Sequence, residues 1–172
     1  MTSRKIKVIA VTGMPGSGKS VFAEYANSKE YRTVVMGDVI RAAVIEKGLD
    51  PTPEMTRQTM VELRNELGET AVAYLTCKTI NRLIEDGVSR IIIDGIRSKA
   101  EVEYFIEHLG EDFAILAIHV DPAIRYERLR LRARKDAPES FEDFSKRDDA
   151  ELKLGLGETI TFSNFIISNN GS

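Results

Sequence analysis

The stretch Gly13-Met14-Pro15-Gly16-Ser17-Gly18-Lys19-Ser20 follows an apolar run, Ile6-Lys7-Val8-Ile9-Ala10-Val11, and satisfies the pattern G-x-x-x-x-G-K-[ST]. A loop that wraps a polyphosphate turns its backbone N–H groups inward, so residues without a Cβ are needed where the chain comes closest or takes a positive φ. Gly13, Gly16 and Gly18 supply them, with Ser17 between the last two. Lys19 then opens a helix whose N-terminal amides and dipole favour an anion, and the Ser20 hydroxyl is placed to ligate Mg²⁺. The stretch predicts strand, phosphate loop and helix, with a nucleoside triphosphate held along Gly13, Gly16, Ser17, Gly18, Lys19, Ser20 and Val21.

Outward from this loop, four more short apolar runs alternate with helical patterns: Thr33–Met36, Arg90–Ile93, Phe113–Val120 and Phe165–Ile167. Continuous Val/Ile-rich strands separated by helices predict an α/β fold with a parallel sheet covered on both faces. Asp38 is placed as the cap of a short helix running to about Lys47 and closed by Gly48. Thr52 as cap and Pro53 at the first helical position start a helix to Leu67, ended by Gly68. The next helix, Glu69 to Asp86, carries Ala71, Leu75, Leu83 and Ile84 on its buried stripe. Ser98-Lys99-Ala100-Glu101 fits a capping box for a helix to Leu109. Beyond Asp121-Pro122 lies an arginine-rich helix with Arg125, Arg128, Arg130, Arg132 and Arg134, then a polar break at Asp136–Glu139. An amphipathic segment from Phe141 to Leu154 leads through Gly155-Leu156-Gly157 to the last strand.

At 172 residues and 42% hydrophobic content the chain fits one domain, 1–172, with a single good core. A net charge of −3 provides no basic field to gather nucleic acid, so nucleic acid is a poor partner. The lone Cys77 forms no internal disulfide, and neither a signal-type segment nor a membrane-spanning run occurs, so a cytoplasmic protein is expected. Oligomeric state stays open. Either the chain is cut short after Ser172, or one sheet face near Phe165 and Ile167 is left partly open and invites association.

Gly37-Asp38-Val39-Ile40-Arg41 after the second strand and Asp94-Gly95-Ile96-Arg97 after the third are similar to the acceptor-binding motifs of nucleoside monophosphate kinases, adenylate kinases above all. Over nearly its whole length the chain resembles an archaeal family of adenylate-kinase-related P-loop proteins. The resemblance implies a P-loop NTPase fold of three α/β/α layers, with a five-stranded parallel sheet in the order 2-3-1-4-5. It further implies an acceptor-binding helical insertion at about 38–86 and a small lid at about 132–147. It implies ATP and Mg²⁺ as cofactors and a small, nucleotide-like phosphate acceptor as the partner. Lys19 would then hold the β/γ-phosphates, Ser20 the Mg²⁺, and Asp94 would accept from Ser20 or from a metal-bound water. Asp38, Arg41 and Arg97 would form the acceptor site, since a planar guanidinium meets phosphate oxygens bidentately. Arg128 would lie on the nucleotide, and Arg132, Arg134 and Arg147 are the other candidates to neutralise the transferring group.

Each of these residues also has a plainer reading. Asp38 is favoured as a helix cap in any case, and Glu101 serves the capping box whether or not it meets a base. The arginine stripe reads equally as a solvated helix face paired with Glu127. His119 reads as a packed strand residue, Phe141 and Phe144 as packing, and Cys77 as a buried small hydrophobe. Three departures from the adenylate-kinase pattern stand out: Met36 where a threonine is usual, no proline between Gly95 and Arg97, and Glu101 where a glutamine reads adenine. A carboxylate accepts but does not donate, so Glu101 suits an exocyclic amine or a guanine edge. Besides phosphate-to-phosphate transfer, two functions stay open. One is transfer to a hydroxyl, as in dephospho-coenzyme A kinases, with Asp38 as base; the other is a nucleotide-dependent switch or slow ATPase that binds a macromolecule.

Overall fold

In a computed structural model that describes residues 6–132 and 137–171, all five apolar runs are strands. They are β1 (Lys7–Thr12), β2 (Arg32–Val35), β3 (Arg90–Asp94), β4 (Phe113–His119) and β5 (Phe165–Ser168). The strands are parallel in the order β2-β3-β1-β4-β5, as expected. The register sets Val11 beside Asp94 on one flank of β1 and Thr12 beside Ala117 on the other. The three inner strands are nearly continuous in buried Val, Ile and Ala because helices cover both faces. One layer gathers Val8, Ala10, Ile91, Ile93 and Ile115 with Val72, Cys77, Ile80 and Phe105. The other gathers Val11, Ile92 and Ile118 with Ala26 and Phe22.

The helices are α1 (Lys19–Ser28), α2 (Met36–Glu46), α3 (Pro53–Leu67), α4 (Ala71–Glu85), α5 (Lys99–Leu109), α6 (Pro122–Leu131), α7 (Phe141–Lys153) and α8 (Leu156–Thr161), with one 3₁₀ turn at Gly110–Asp112. Local chemistry accounts for most of their ends. Thr52 accepts from the Met55 amide with Pro53 behind it, Ser98 and Glu101 complete both halves of a capping box, and Asp121 accepts from Ala123. None of the helices among the described residues is long and apolar enough to cross a membrane.

Several expectations are corrected. Met36 belongs to α2 and not to β2, because its side chain is buried in the core and the chain turns helical directly off the strand. Val35 is therefore the cap position, and Asp38 sits in the first turn with its carboxylate on Arg41. On α4 the fully buried face is Ala71–Ala73, Thr76, Cys77 and Ile80; Leu75, Leu83 and Ile84 flank it, partly buried. The helix packs against α2, α3 and α5 as well as the sheet, so its buried face is wider than the single stripe expected and includes Ala71. His119 is exposed rather than packed, because it ends β4 where the strand leaves the covered part of the sheet. Helix α8 was not anticipated: six residues are too few for a periodic signal, and its fold-back rests on Gly155 at φ +96° and on burial of Leu156 and Thr159. Phe165, Ile166 and Ile167 of β5 are 63%, 65% and 44% exposed, so that edge is open. Phe144 is buried and meets Phe141 and Tyr126 ring to ring, which agrees with packing.

Candidate active site

The phosphate loop runs from the end of β1 into α1, and its shape is imposed by neighbours far away in sequence. Gly13 has φ +146°, and a Cβ there would collide with the Ile118 carbonyl oxygen of the adjacent β4. Gly18 has φ +100° and lies where a Cβ would come within 2.7 Å of Asn169 Nδ2. Substitution at either position therefore meets both strain and a clash. The loop closes on itself through Ser17 N to Met14 O at 3.1 Å, and Phe22 N to Gly18 O at 3.0 Å starts α1. Buried in this loop region, Thr12 Oγ1 and Ser17 Oγ have no hydrogen-bond partner among the described residues. Ser20 is half-buried and Val21 is exposed.

Lys19 Nζ folds back over the loop and donates to Gly13 O at 2.6 Å and Met14 O at 3.3 Å. Burial holds its ammonium below the usual lysine pKa, opposed by the Asp94 carboxylate. Burial likewise raises Asp94 at the end of β3, with Lys19 and Arg97 pulling the other way. An ammonium and a carboxylate, both short of water, thus face one crevice at the carboxyl ends of β1 and β3. That is where open α/β sheets bind ligands.

A cavity of about 520 Å³ opens over these strand ends, lined among others by Lys19, Arg41, Asp94, Arg97, Arg132 and Arg147. Seven of the expected site residues, Gly13 and Gly16 included, and the lid candidate Arg147 therefore share one space. Arg41 Nε donates to Asp38 Oδ1 at 2.9 Å, and Arg41 Nη2 reaches the same oxygen. Arg97 pairs across to Glu151 of α7 at 3.8 Å. Glu101 is buried, and its Oε2 accepts from Arg97 N at 2.9 Å and Ser98 N at 3.2 Å, so the capping role is present even though the residue also lines the cavity. Asp38 and Arg128 are not on the lining. Arg128 Nη2 donates instead to Gly171 O at 2.7 Å, while its Nη1 is buried without a partner among the described residues. Arg134 lies outside the described residues.

Sequence reasoning passed over four residues. Arg125, 3% exposed, donates to Pro15 O of the phosphate loop at 3.2 Å and to both oxygens of Asp148 at 2.9 and 2.5 Å, and stacks on Phe144. Asn169 Nδ2 donates to Ser17 O at 3.0 Å, tying the segment after β5 to the loop. Asp148 and Glu151 complete the set. One signal was in the sequence: Arg125 stands four residues before the apolar Leu129 and so shares its face, and both are buried on α6.

A parallel sheet in this order, with a glycine-rich phosphate loop after the first strand and an acid ending the third, defines a P-loop nucleotide-binding domain of kinase-like fold. A family model described as an AAA domain matches residues 9–151. The chain belongs to the UPF0200 protein family: it is 41% identical over 164 residues to a UPF0200 protein of Thermococcus onnurineus, covering 95% of this chain and 88% of that one. Among solved structures, TT1252 from Thermus thermophilus is similar with a TM-score of 0.65 at 18% identity, over 98% of this chain and 91% of that one. A shikimate kinase from Bacteroides thetaiotaomicron is similar at 0.57 and 15% identity, over 94% and 86%. At these identities the likeness establishes the fold.

Proposed function

We propose that the protein is an ATP-dependent phosphotransferase of the nucleoside monophosphate kinase type, moving the γ-phosphate to a small nucleotide-like phosphate acceptor. The observation that carries this reading is the convergence of Lys19 and Asp94 with Arg41 and Arg97 on one cavity beside the phosphate loop. Two arginines lining the cavity beside the loop lysine, Arg41 on α2 and Arg97 on the loop after β3, suit a second anionic substrate better than water alone. The kinase-like fold of the similar structures is consistent with it.

The residues fit Mg²⁺ and ATP. Gly13, Gly16 and Gly18 hold the loop in the positive-φ conformations that turn amides inward, and the unpartnered hydroxyls of Thr12 and Ser17 lie at the loop. Ser20 and Asp94 offer the hard oxygen donors Mg²⁺ prefers. Bound there, Mg²⁺ and nucleotide would supply the transferable phosphoryl group and neutralise its charge. Lys19 would exchange its bonds to Gly13 O and Met14 O for phosphate oxygens, which needs only a rotation of a flexible side chain. Arg41 and Arg97 would orient the acceptor's phosphate, with Arg132 and Arg147 across the cavity to balance charge. Positioning and charge neutralisation of this kind are what phosphoryl transfer requires. The test is a screen of nucleoside monophosphates and dephospho-coenzyme A for ADP release above the rate without acceptor. Release stimulated by a monophosphate is the expected result; no stimulation by any of them overturns the reading.

A further inference from the structure

The two proposed acceptor arginines are held in different ways. Arg41 pairs with Asp38 one turn away on its own helix, and both side chains are well exposed. Arg97, on the loop after β3 and itself 55% exposed, is paired by Glu151 from a separate element, α7, and the Glu151 side chain is only 16% exposed. Glu151 lines the same cavity as Lys19, Asp94 and Arg97, and its charge reaches Lys19 together with theirs. A carboxylate enclosed among cations stands where an anionic group of a ligand would be attracted.

The fastening of α7 makes this contact displaceable. One turn before Glu151, Asp148 accepts from both terminal nitrogens of Arg125, an enclosed bidentate pair. The Glu151–Arg97 separation of 3.8 Å exceeds hydrogen-bonding distance, so attraction is coulombic and no directional bond locks it. Helix α7 therefore stays anchored through Asp148 while Glu151 is free to let go of Arg97.

We propose that Glu151 is a built-in competitor for the acceptor's anion: it holds Arg97 until a phosphate dianion replaces it, and so selects phosphate-bearing acceptors over carboxylate-bearing ones. The proposal rests on the acceptor-site reading for its use of Arg97. A phosphate dianion brings two charges and a pair of oxygens matched to the guanidinium fork, whereas a monocarboxylate brings no more than Glu151 already provides.

Calorimetry on the full chain with inorganic phosphate and with acetate as probes tests it, comparing wild type with Glu151→Gln and with the double variant Glu151→Gln/Arg97→Ala. Glu151→Gln is expected to bind phosphate about tenfold more tightly and to bring acetate binding into measurable range, because a competing charge has gone. The gain should vanish in the double variant. Equal or weaker phosphate affinity in a Glu151→Gln protein that melts close to wild type overturns the proposal while leaving the acceptor site standing. Phosphate binding in neither wild type nor Glu151→Gln, with ATP binding intact, overturns the acceptor site as well. Should Glu151→Gln fail to fold, Glu151→Asp withdraws the carboxylate from Arg97; a smaller gain supports the proposal and no gain overturns it.

Discussion

Arg125 and Asp148 form a two-bond ion pair, 2.9 and 2.5 Å, beneath the phosphate loop, and the same guanidinium donates to Pro15 O at 3.2 Å. With the two side chains 4% and 15% exposed, this pair ties α6, α7 and the loop into one unit. Removing one partner strands the other in a dry place, a change that typically costs about 3–5 kcal/mol. Asp148→Asn is therefore expected to lower the melting temperature by roughly 6–20 °C, at the 2–4 °C per kcal/mol usual for a chain of this size. It should also weaken ATP binding, since the Arg125 guanidinium that holds Pro15 O is no longer fixed from its other side. A melting temperature within a degree or two of wild type would mean that the pair is incidental.

Lys19→Ala should weaken Mg²⁺-ATP binding with little loss of stability. The ammonium gives up its two bonds to loop carbonyls as well as its phosphate contact, but burial already disfavours its charge. A charge-assisted hydrogen bond contributes about 1.5–3 kcal/mol, so the expected loss is on the order of 10- to 100-fold in affinity. Calorimetry decides it, and equal affinity in the two proteins removes the nucleotide-site assignment.

Arg41→Ala should raise the acceptor KM and lower turnover while ATP affinity stays near wild type, because Arg41 lines the cavity and directs its hydrogen bonds to Asp38 on its own helix. Asp38→Asn, by contrast, should leave turnover within a few-fold of wild type. Its carboxylate is engaged by Arg41 and does not line the cavity, a poor arrangement for a general base. Collapse of turnover in a folded Asp38→Asn protein would instead favour transfer to a hydroxyl.

Cys77 is buried on α4, and desolvation pushes its thiol up from 9.0 to about 11. Because the folded state resists ionisation, this group adds stability that is complete below about pH 9 and is lost as pH rises towards 11. At pH 8 its thiolate fraction is on the order of 0.1%, so alkylation of the native protein should be at least about a hundredfold slower than that of an unfolded control. Rapid native labelling at pH 8 would contradict the burial of α4 against the sheet.

Much of this molecule is local. The phosphate loop, the capping box at Ser98 and Glu101, the cap at Thr52 with Pro53 behind it, and the glycines that end α2, α3 and α4 are read over a few residues, because their physics is backbone conformation and short-range hydrogen bonding. The sheet order followed from resemblance to a known family, and the Val/Ile runs alternating with helical patterns favoured a parallel sheet covered on both faces. Tertiary structure alone decided which charges meet. Arg125 finds Asp148 across 23 residues and Asn169 finds Ser17 across 152, and nothing in either neighbourhood announces its partner. Asp38 moved from cap to ion pair because burial of Met36 started α2 early, and Glu151 came to face Arg97 only because α7 is fastened over the cavity. Periodicity and caps are properties of a segment, whereas the field at Lys19 is a sum over Asp94, Arg97, Glu151 and Arg125, which come from four separate parts of the chain.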